Sequence, residues 1–142
     1  IAEGIANWPR QSMAVMGSSL GGYYASWVAQ LARCKSVMIN PAVNPARDLE
    51  KYIGEQSNWH DPDDTFFFRP EYIEELRQLD TSAMTPAAPE MVLIAQGDEV
   101  LDWNEMSERY PHALQLVQEG GDHALSNFAE YLDRIDEFLS LA

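Results

Sequence analysis

Apolar positions along the chain alternate between two regimes: short unbroken runs, and longer stretches spaced by three and four. Residues 12–16 form a short run containing β-branched Val15, with Gly17 directly after it, which predicts a buried strand. From Leu20 the period changes. Leu20, Tyr23, Tyr24, Trp27, Val28 and Leu31 recur at helical spacing, predicting a helix to about Ala32 with that set as its apolar face. Residues 36–40 predict a second buried strand, stopped by Pro41. A short helix over 46–53 follows, with Gly54 as its C-terminal stop.

Residues 55–69 show neither period, carry acids and amides around Trp59, and end in Phe66, Phe67 and Phe68, so they are expected to be an irregular excursion. Pro70 suits the first turn of a helix through Leu79, with Tyr72, Ile73, Leu76 and Leu79 on one side. Residues 91–95 predict a strand, 103–109 a helix, 114–117 a last strand and 127–141 a closing helix. Phe128, Leu132, Ile135, Phe138 and Leu139 form the expected buried face of that helix. Strands separated by helices imply a mostly parallel sheet covered on both faces: the α/β class, read here as one domain with a cap-like excursion at about 55–89.

Composition narrows the partners. The formal charge of the 142-residue chain is −14, from 23 acidic against 9 basic residues, which argues against nucleic acid or an anionic membrane surface as a partner. The single cysteine, Cys34, rules out an internal disulfide and is expected to pack rather than react; with no basic-then-apolar leader in view, the cytoplasm is the expected compartment. The first residue is Ile1 rather than Met, so the start of the gene product is expected to lie upstream.

Chemistry concentrates at the first turn. "GSSLG" at 17–21 fits G-x-S-x-G with Ser19 at its centre, preceded by the required strand and followed by the required amphipathic helix. In such a turn the serine oxygen stands above the strand ends, and the first helical amide, that of Leu20, faces the place where an oxyanion would form. A phosphate-cradling loop is the weaker alternative, since neither G-x-x-x-x-G-K-[ST] nor G-x-G-x-x-G is present.

A serine hydroxyl needs a base, and the base an orienting carboxylate. His60 and His112 read as surface loop residues. His123, in "EGGDHAL" after the last strand, lies at the carboxyl edge of the sheet, where catalytic groups of α/β proteins gather. Asp98 and Asp102 both follow the strand at 91–95. Asp102 has capping spacing for the helix at 103, so the acid is assigned to Asp98. Asp122 reads as a solvated turn acid, and "HDPDD" at 60–64 as a solvated loop rather than a metal site. The order Ser19, Asp98, His123 is that of α/β-hydrolases.

"GSSLGGYYA", "INPAVNP", "GDEVLDW" and "EGGDHALSNF" together resemble the YqiA-like esterases of the α/β-hydrolase superfamily, over nearly the whole chain. The resemblance implies a three-layer fold and hydrolysis of carboxylic esters or acyl thioesters. Ser19 would be nucleophile, His123 base and Asp98 acid, with no metal or organic cofactor. One departure stands out: nothing before Ser12 supplies the further strands or the "HG" loop that would give a second oxyanion amide. The expectation is therefore a chain that is the carboxyl-terminal part of a longer polypeptide, or one whose strand at 12–16 is covered by self-association or a partner segment. Trp59 and Phe66 to Phe68 are candidate acyl-binding residues. The competing reading is a non-catalytic binding module that keeps the turn but has an incomplete oxyanion hole.

Overall fold

The computed structural model describes residues 1–57, 61 and 63–140. Its central feature is a four-stranded sheet in the order β1 (Ala14–Ser18), β2 (Lys35–Ile39), β5 (Glu90–Ala95), β6 (Leu114–Gln118), every neighbouring pair parallel. Parallel neighbours need crossovers, and helices supply them: α1 (Leu20–Ala32) links β1 to β2, and α4 (Trp103–Arg109) links β5 to β6. Two compact units make up the chain. One comprises residues 1–43 and 81–142 and contains this sheet; the other is Asn44–Asp80.

Unbroken apolar runs in β2 and β5 send alternate residues to the two faces, so each face has its own core. Val37, Ile39, Met91, Leu93 and Ala95 pack with Leu125 and Ile135, the latter on α5 (Leu132–Leu139). Met38, Val92 and Ile94 face the other way, toward Ala25 of α1 and Met106 and Tyr110 of the α4 region. Helices therefore cover both faces of the central strands.

Several expectations are corrected. The first strand starts two residues later than read, and it is not fully buried: Met16 is half exposed, and among the described residues β1 pairs with β2 alone. Helix α1 has the expected bounds but turns its small residues inward. Gly22, Ala25, Ser26, Ala29 and Ala32 are buried with Tyr23 and Val28, whereas Leu31 is 40% exposed. Close approach is the reason: a side chain on Gly22 would meet Pro41 Cβ at 2.8 Å, and one on Gly17 would overlap the Gly21 carbonyl. The closing helix is broken into a 3-10 turn, Phe128–Tyr131, followed by α5, and the break leaves Leu132 exposed while Tyr131 packs on the core in its place.

In the second unit, α2 (Pro45–Leu49) is shorter than expected and passes into a 3-10 turn, Glu50–Tyr52. The stretch read as irregular contains an antiparallel hairpin, β3 (Gly54–Ser57) with β4 (Thr65–Phe68), in the register Gly54↔Phe68 to Ser57↔Thr65. Its first strand, "GEQS", has no apolar alternation to betray it. Helix α3 (Pro70–Gln78) buries Ile73 and Leu76 as expected, and Phe68 meets Tyr72 edge-on at 5.5 Å between ring centres.

Candidate active site

The site grows from the carboxyl ends of β1, β5 and β6. After Ser18 the chain reverses at Ser19, whose φ of 54° and ψ of −124° lie outside the ordinary basins for a residue with a side chain. Conformations of this kind cost on the order of 1–3 kcal/mol and persist only where the surroundings hold them. Here the holding is explicit: Ser19 N–H donates to the Ile39 carbonyl at 2.9 Å. The Ser19 carbonyl accepts from Gly22 at 2.9 Å, Tyr23 at 3.3 Å and Ala42 at 3.0 Å. Ser19 is thus locked between β2 and the first turn of α1, with its oxygen at the sheet rim.

His123 meets it there. His123 Nε2 lies 2.9 Å from Ser19 Oγ, and His123 Nδ1 lies 2.8 Å from Asp98 Oδ2. The Asp98 side chain is wholly buried and that of His123 one-fifth exposed. Asp98 Oδ1 accepts from the amides of Val100 and Leu101, both at 2.8 Å, so the turn after β5 fixes one carboxylate oxygen and leaves the other for the imidazole. With Nδ1–H directed at the carboxylate, Nε2 is left as an acceptor facing the serine hydroxyl. An imidazolium formed there would be stabilised by a carboxylate that water does not reach.

The two loops carrying Asp98 and His123 touch through their backbones. Gly97 N–H donates to the Gly120 carbonyl at 2.8 Å, and Gly120 and Gly121 take φ values of 68° and 80°, which glycine adopts at no steric cost. Gln118, Asn127 and Tyr131 form a side-chain network below this turn; Tyr131 Oη donates to Gln118 Oε1 at 2.6 Å. Leu20 opens α1, and among the described residues its amide has no hydrogen-bond partner, as expected of a first-turn N–H.

The remaining candidates fall elsewhere. Asp102 caps α4, accepting from Asn104 N–H at 2.8 Å, and that backbone bond, with the Asn104 side chain, holds its carboxyl below the usual range. Asp122 accepts from Ser126 N–H at 2.9 Å, and the bonds from Ser126 lower its carboxyl likewise. Phe66, Phe67 and Phe68 lie on β4, the first two more than half exposed. Trp59 and His60 lie outside the described residues, and His112 is exposed. Cys34 is buried, and burial pushes its thiol up. Sequence reasoning passed over Glu99 and Asn40, whose side chains hydrogen-bond to the backbone of His123.

No helix among the described residues is long and apolar enough to cross a membrane. Known structures share the fold. Est1E from Butyrivibrio proteoclasticus, with ferulic acid bound, superposes with a TM-score of 0.67 at 14% identity, over 87% of this chain and 57% of its own. A Rhodothermus marinus esterase domain gives 0.64 at 19%, over 91% and 60%. The monoacylglycerol lipase of Paleococcus ferrophilus gives 0.64 at 17%, over 96% and 70%. At these identities the likeness establishes the α/β-hydrolase fold. Among curated sequences, "UPF0227 protein YcfP" of Escherichia coli (strain K12 / DH10B) is 24% identical over 128 residues, which are 89% of this chain and 64% of that relative's length. Residues 2–140 match the family described as "Uncharacterised protein family (UPF0227)", the YcfP/YqiA family, and the chain belongs to it.

Proposed function

We propose that this chain carries the catalytic triad of a serine esterase acting on carboxylic esters or acyl thioesters. The observation behind this reading is the unbroken relay Ser19 Oγ, His123 Nε2, His123 Nδ1, Asp98 Oδ2, with separations of 2.9 and 2.8 Å. As Ser19 Oγ attacks the acyl carbonyl, His123 Nε2 takes its proton and Asp98 holds the resulting imidazolium. The carbonyl oxygen gains charge and accepts from Leu20 N–H, at the positive end of α1. Collapse of the tetrahedral intermediate expels the alcohol or thiol, which leaves with the proton from His123, and Ser19 keeps the acyl group as an ester. Water then attacks that ester, gives a proton to His123, and the acid departs with Ser19 restored.

A fluorophosphonate probe tests the reading directly. Labelling at Ser19 should be abolished by Ser19→Ala and fall by at least about 1,000-fold in His123→Ala, because catalytic serines lose most of their reactivity without the base. A folded protein that stays unlabelled would favour a binding module over an enzyme.

A further inference from the structure

Most residues in a strand or helix have their backbone polar groups paired by the element itself. His123 lies in a loop, and side chains hold its N–H and its C=O. Glu99 Oε2 accepts from His123 N–H at 3.0 Å, and Asn40 Nδ2 donates to the His123 carbonyl at 3.0 Å. The same Asn40 nitrogen donates to the Asp122 carbonyl at 3.0 Å, and Asn40 Oδ1 accepts from Ala95 N–H at 2.8 Å. Asn40 is fully buried and has a φ of 39°, which asparagine tolerates better than most residues with a side chain. Its own N–H continues the ladder to the Leu93 carbonyl at 2.9 Å.

These contacts converge on one function. Asn40 joins the end of β2 to the last residue of β5, three positions before Asp98, and to the loop of His123. Its neighbour Ile39 accepts from Ser19 N–H and Ala42 donates to the Ser19 carbonyl, so the short segment 39–42 touches the supports of all three triad residues. Glu99, adjacent to Asp98, ties the acid's loop to the base's backbone. We propose that Asn40 and Glu99 are positioning residues that clamp the His123 peptide from both sides and so set the distance from its imidazole to Ser19 Oγ. This rests on the serine-hydrolase reading above.

The chemistry of Asn40 is demanding. Its amide accepts on one side and donates both hydrogens on the other. An aspartate at position 40 has the same volume and can accept from Ala95, but it faces two carbonyl oxygens with a second acceptor unless it is protonated. Asn40→Asp should therefore work better relative to wild type as the pH falls.

The test measures fluorophosphonate labelling, and kcat and KM on p-nitrophenyl butyrate, for Asn40→Ala, Asn40→Asp, Glu99→Ala and Glu99→Gln. Ser26→Ala serves as the control, removing a buried 2.9 Å hydroxyl pair with Tyr110 that does not involve the triad loops. Asn40→Ala should lower kcat roughly 30- to 100-fold with KM within about twofold, the size of effect seen when catalytic groups shift by about 1 Å. The deficit of Asn40→Asp relative to wild type should shrink at least about fivefold from pH 8 to pH 6. Glu99→Ala should lose roughly 5- to 10-fold, and Glu99→Gln, which keeps the acceptor, should recover most of it. Glu99 is exposed, so its variants decide the matter if those at Asn40 do not fold. The clamp is overturned if folded Asn40 and Glu99 variants keep wild-type kcat, or if Ser26→Ala loses as much activity for the same loss of Tm. A wild-type protein that the probe does not label overturns the hydrolase reading instead.

Discussion

Replacing Gly97 with alanine probes the junction on which the contacts among Ser19, His123 and Asp98 depend. Gly97 begins the turn that delivers Asp98, and a Cβ built there would lie 2.5 Å from the Gly121 carbonyl oxygen and 2.8 Å from the Gly120 carbonyl carbon. Ordinary contact begins near 3.4 Å, so the shortfall is about 0.9 Å against backbone atoms that no rotamer change can move away. The loop of Asp98 and the loop of His123 must separate, and their joining bond, Gly97 N–H to Gly120 at 2.8 Å, must lengthen. Overpacking of this kind costs about 1–3 kcal/mol. For a chain of this length that corresponds to a fall in Tm of roughly 4 to 12 °C.

On the proposed serine-hydrolase mechanism, the catalytic consequence is larger than the loss of stability. A displacement approaching 1 Å takes the 2.8 Å bond between Asp98 and His123 toward the limit of a hydrogen bond and costs about 100-fold in rate. Labelling by a fluorophosphonate, measured well below the lowered Tm, separates the two effects because only folded protein is compared. The expected result is a second-order labelling constant reduced roughly 100-fold, with secondary structure unchanged. Labelling at the wild-type rate by a folded Gly97→Ala protein would mean that the two loops are not rigidly coupled, and the argument from close packing at this junction would fail.

Three other perturbations have defined outcomes. Ser36 Oγ is fully buried and, among the described residues, has no hydrogen-bond partner, so Ser36→Ala removes an unpaired hydroxyl that costs about 1–3 kcal/mol and should raise Tm by several degrees in calorimetry. Burial raises the Glu90 carboxyl against the opposing charges of Arg109 and His112; the folded form holds its proton more tightly than the unfolded one, so stability falls as pH rises from the unfolded value through the folded one. Glu90→Gln should therefore stabilise at pH 7 and have little effect near pH 3.5, as urea titrations at the two pH values would show. Residues 96–104 and 118–127 contain Asp98, Glu99, Asp102, Glu119 and Asp122 and no Lys or Arg; on the proposed esterase reading, kcat/KM should therefore be severalfold higher for a neutral ester than for an anionic one of equal acyl chain, with the gap closing at 0.5 M salt.

The parallel sheet was readable because its central strands, β2 and β5, are short apolar runs bounded by glycine or proline, and runs of that kind occur where both faces are buried. The same rule missed β3. "GEQS" belongs to a two-stranded hairpin whose first strand is polar throughout, so its pairing with β4 left no hydrophobic trace. The inward face of α1 was misread for a related reason. Periodicity weights large apolar residues, whereas close packing against the turn at Gly17 and against Pro41 selects glycine and alanine and leaves Leu31 toward water. At the end of the chain, the apolar spacing from Phe128 onward ran unbroken through the change from 3-10 to α geometry. The change in twist puts Tyr131, not Leu132, on the core.

Ser19, Asp98 and His123 stood out because each follows a strand and has a glycine within three residues before it, a local signature of a sharp turn at the sheet rim. Asn40 and Glu99 lacked one. Asn40 reads as the polar end of a strand before Pro41, and Glu99 as one acid among several in "GDEVLD"; nothing in either neighbourhood refers to a histidine more than twenty residues away. Their contacts are long-range consequences of two loops brought together by the register of β2, β5 and β6, in which Ile39 lies opposite Leu93 and Ala95 opposite Gln118. That register puts Asn40 one step beyond the last paired residue of β2, within reach of Ala95 and of the loop that leaves β6. Moving β2 by a single residue would turn the Asn40 side chain to the opposite face and separate it from His123, so the position of His123 follows from the pairing of strands that carry none of Ser19, Asp98 and His123.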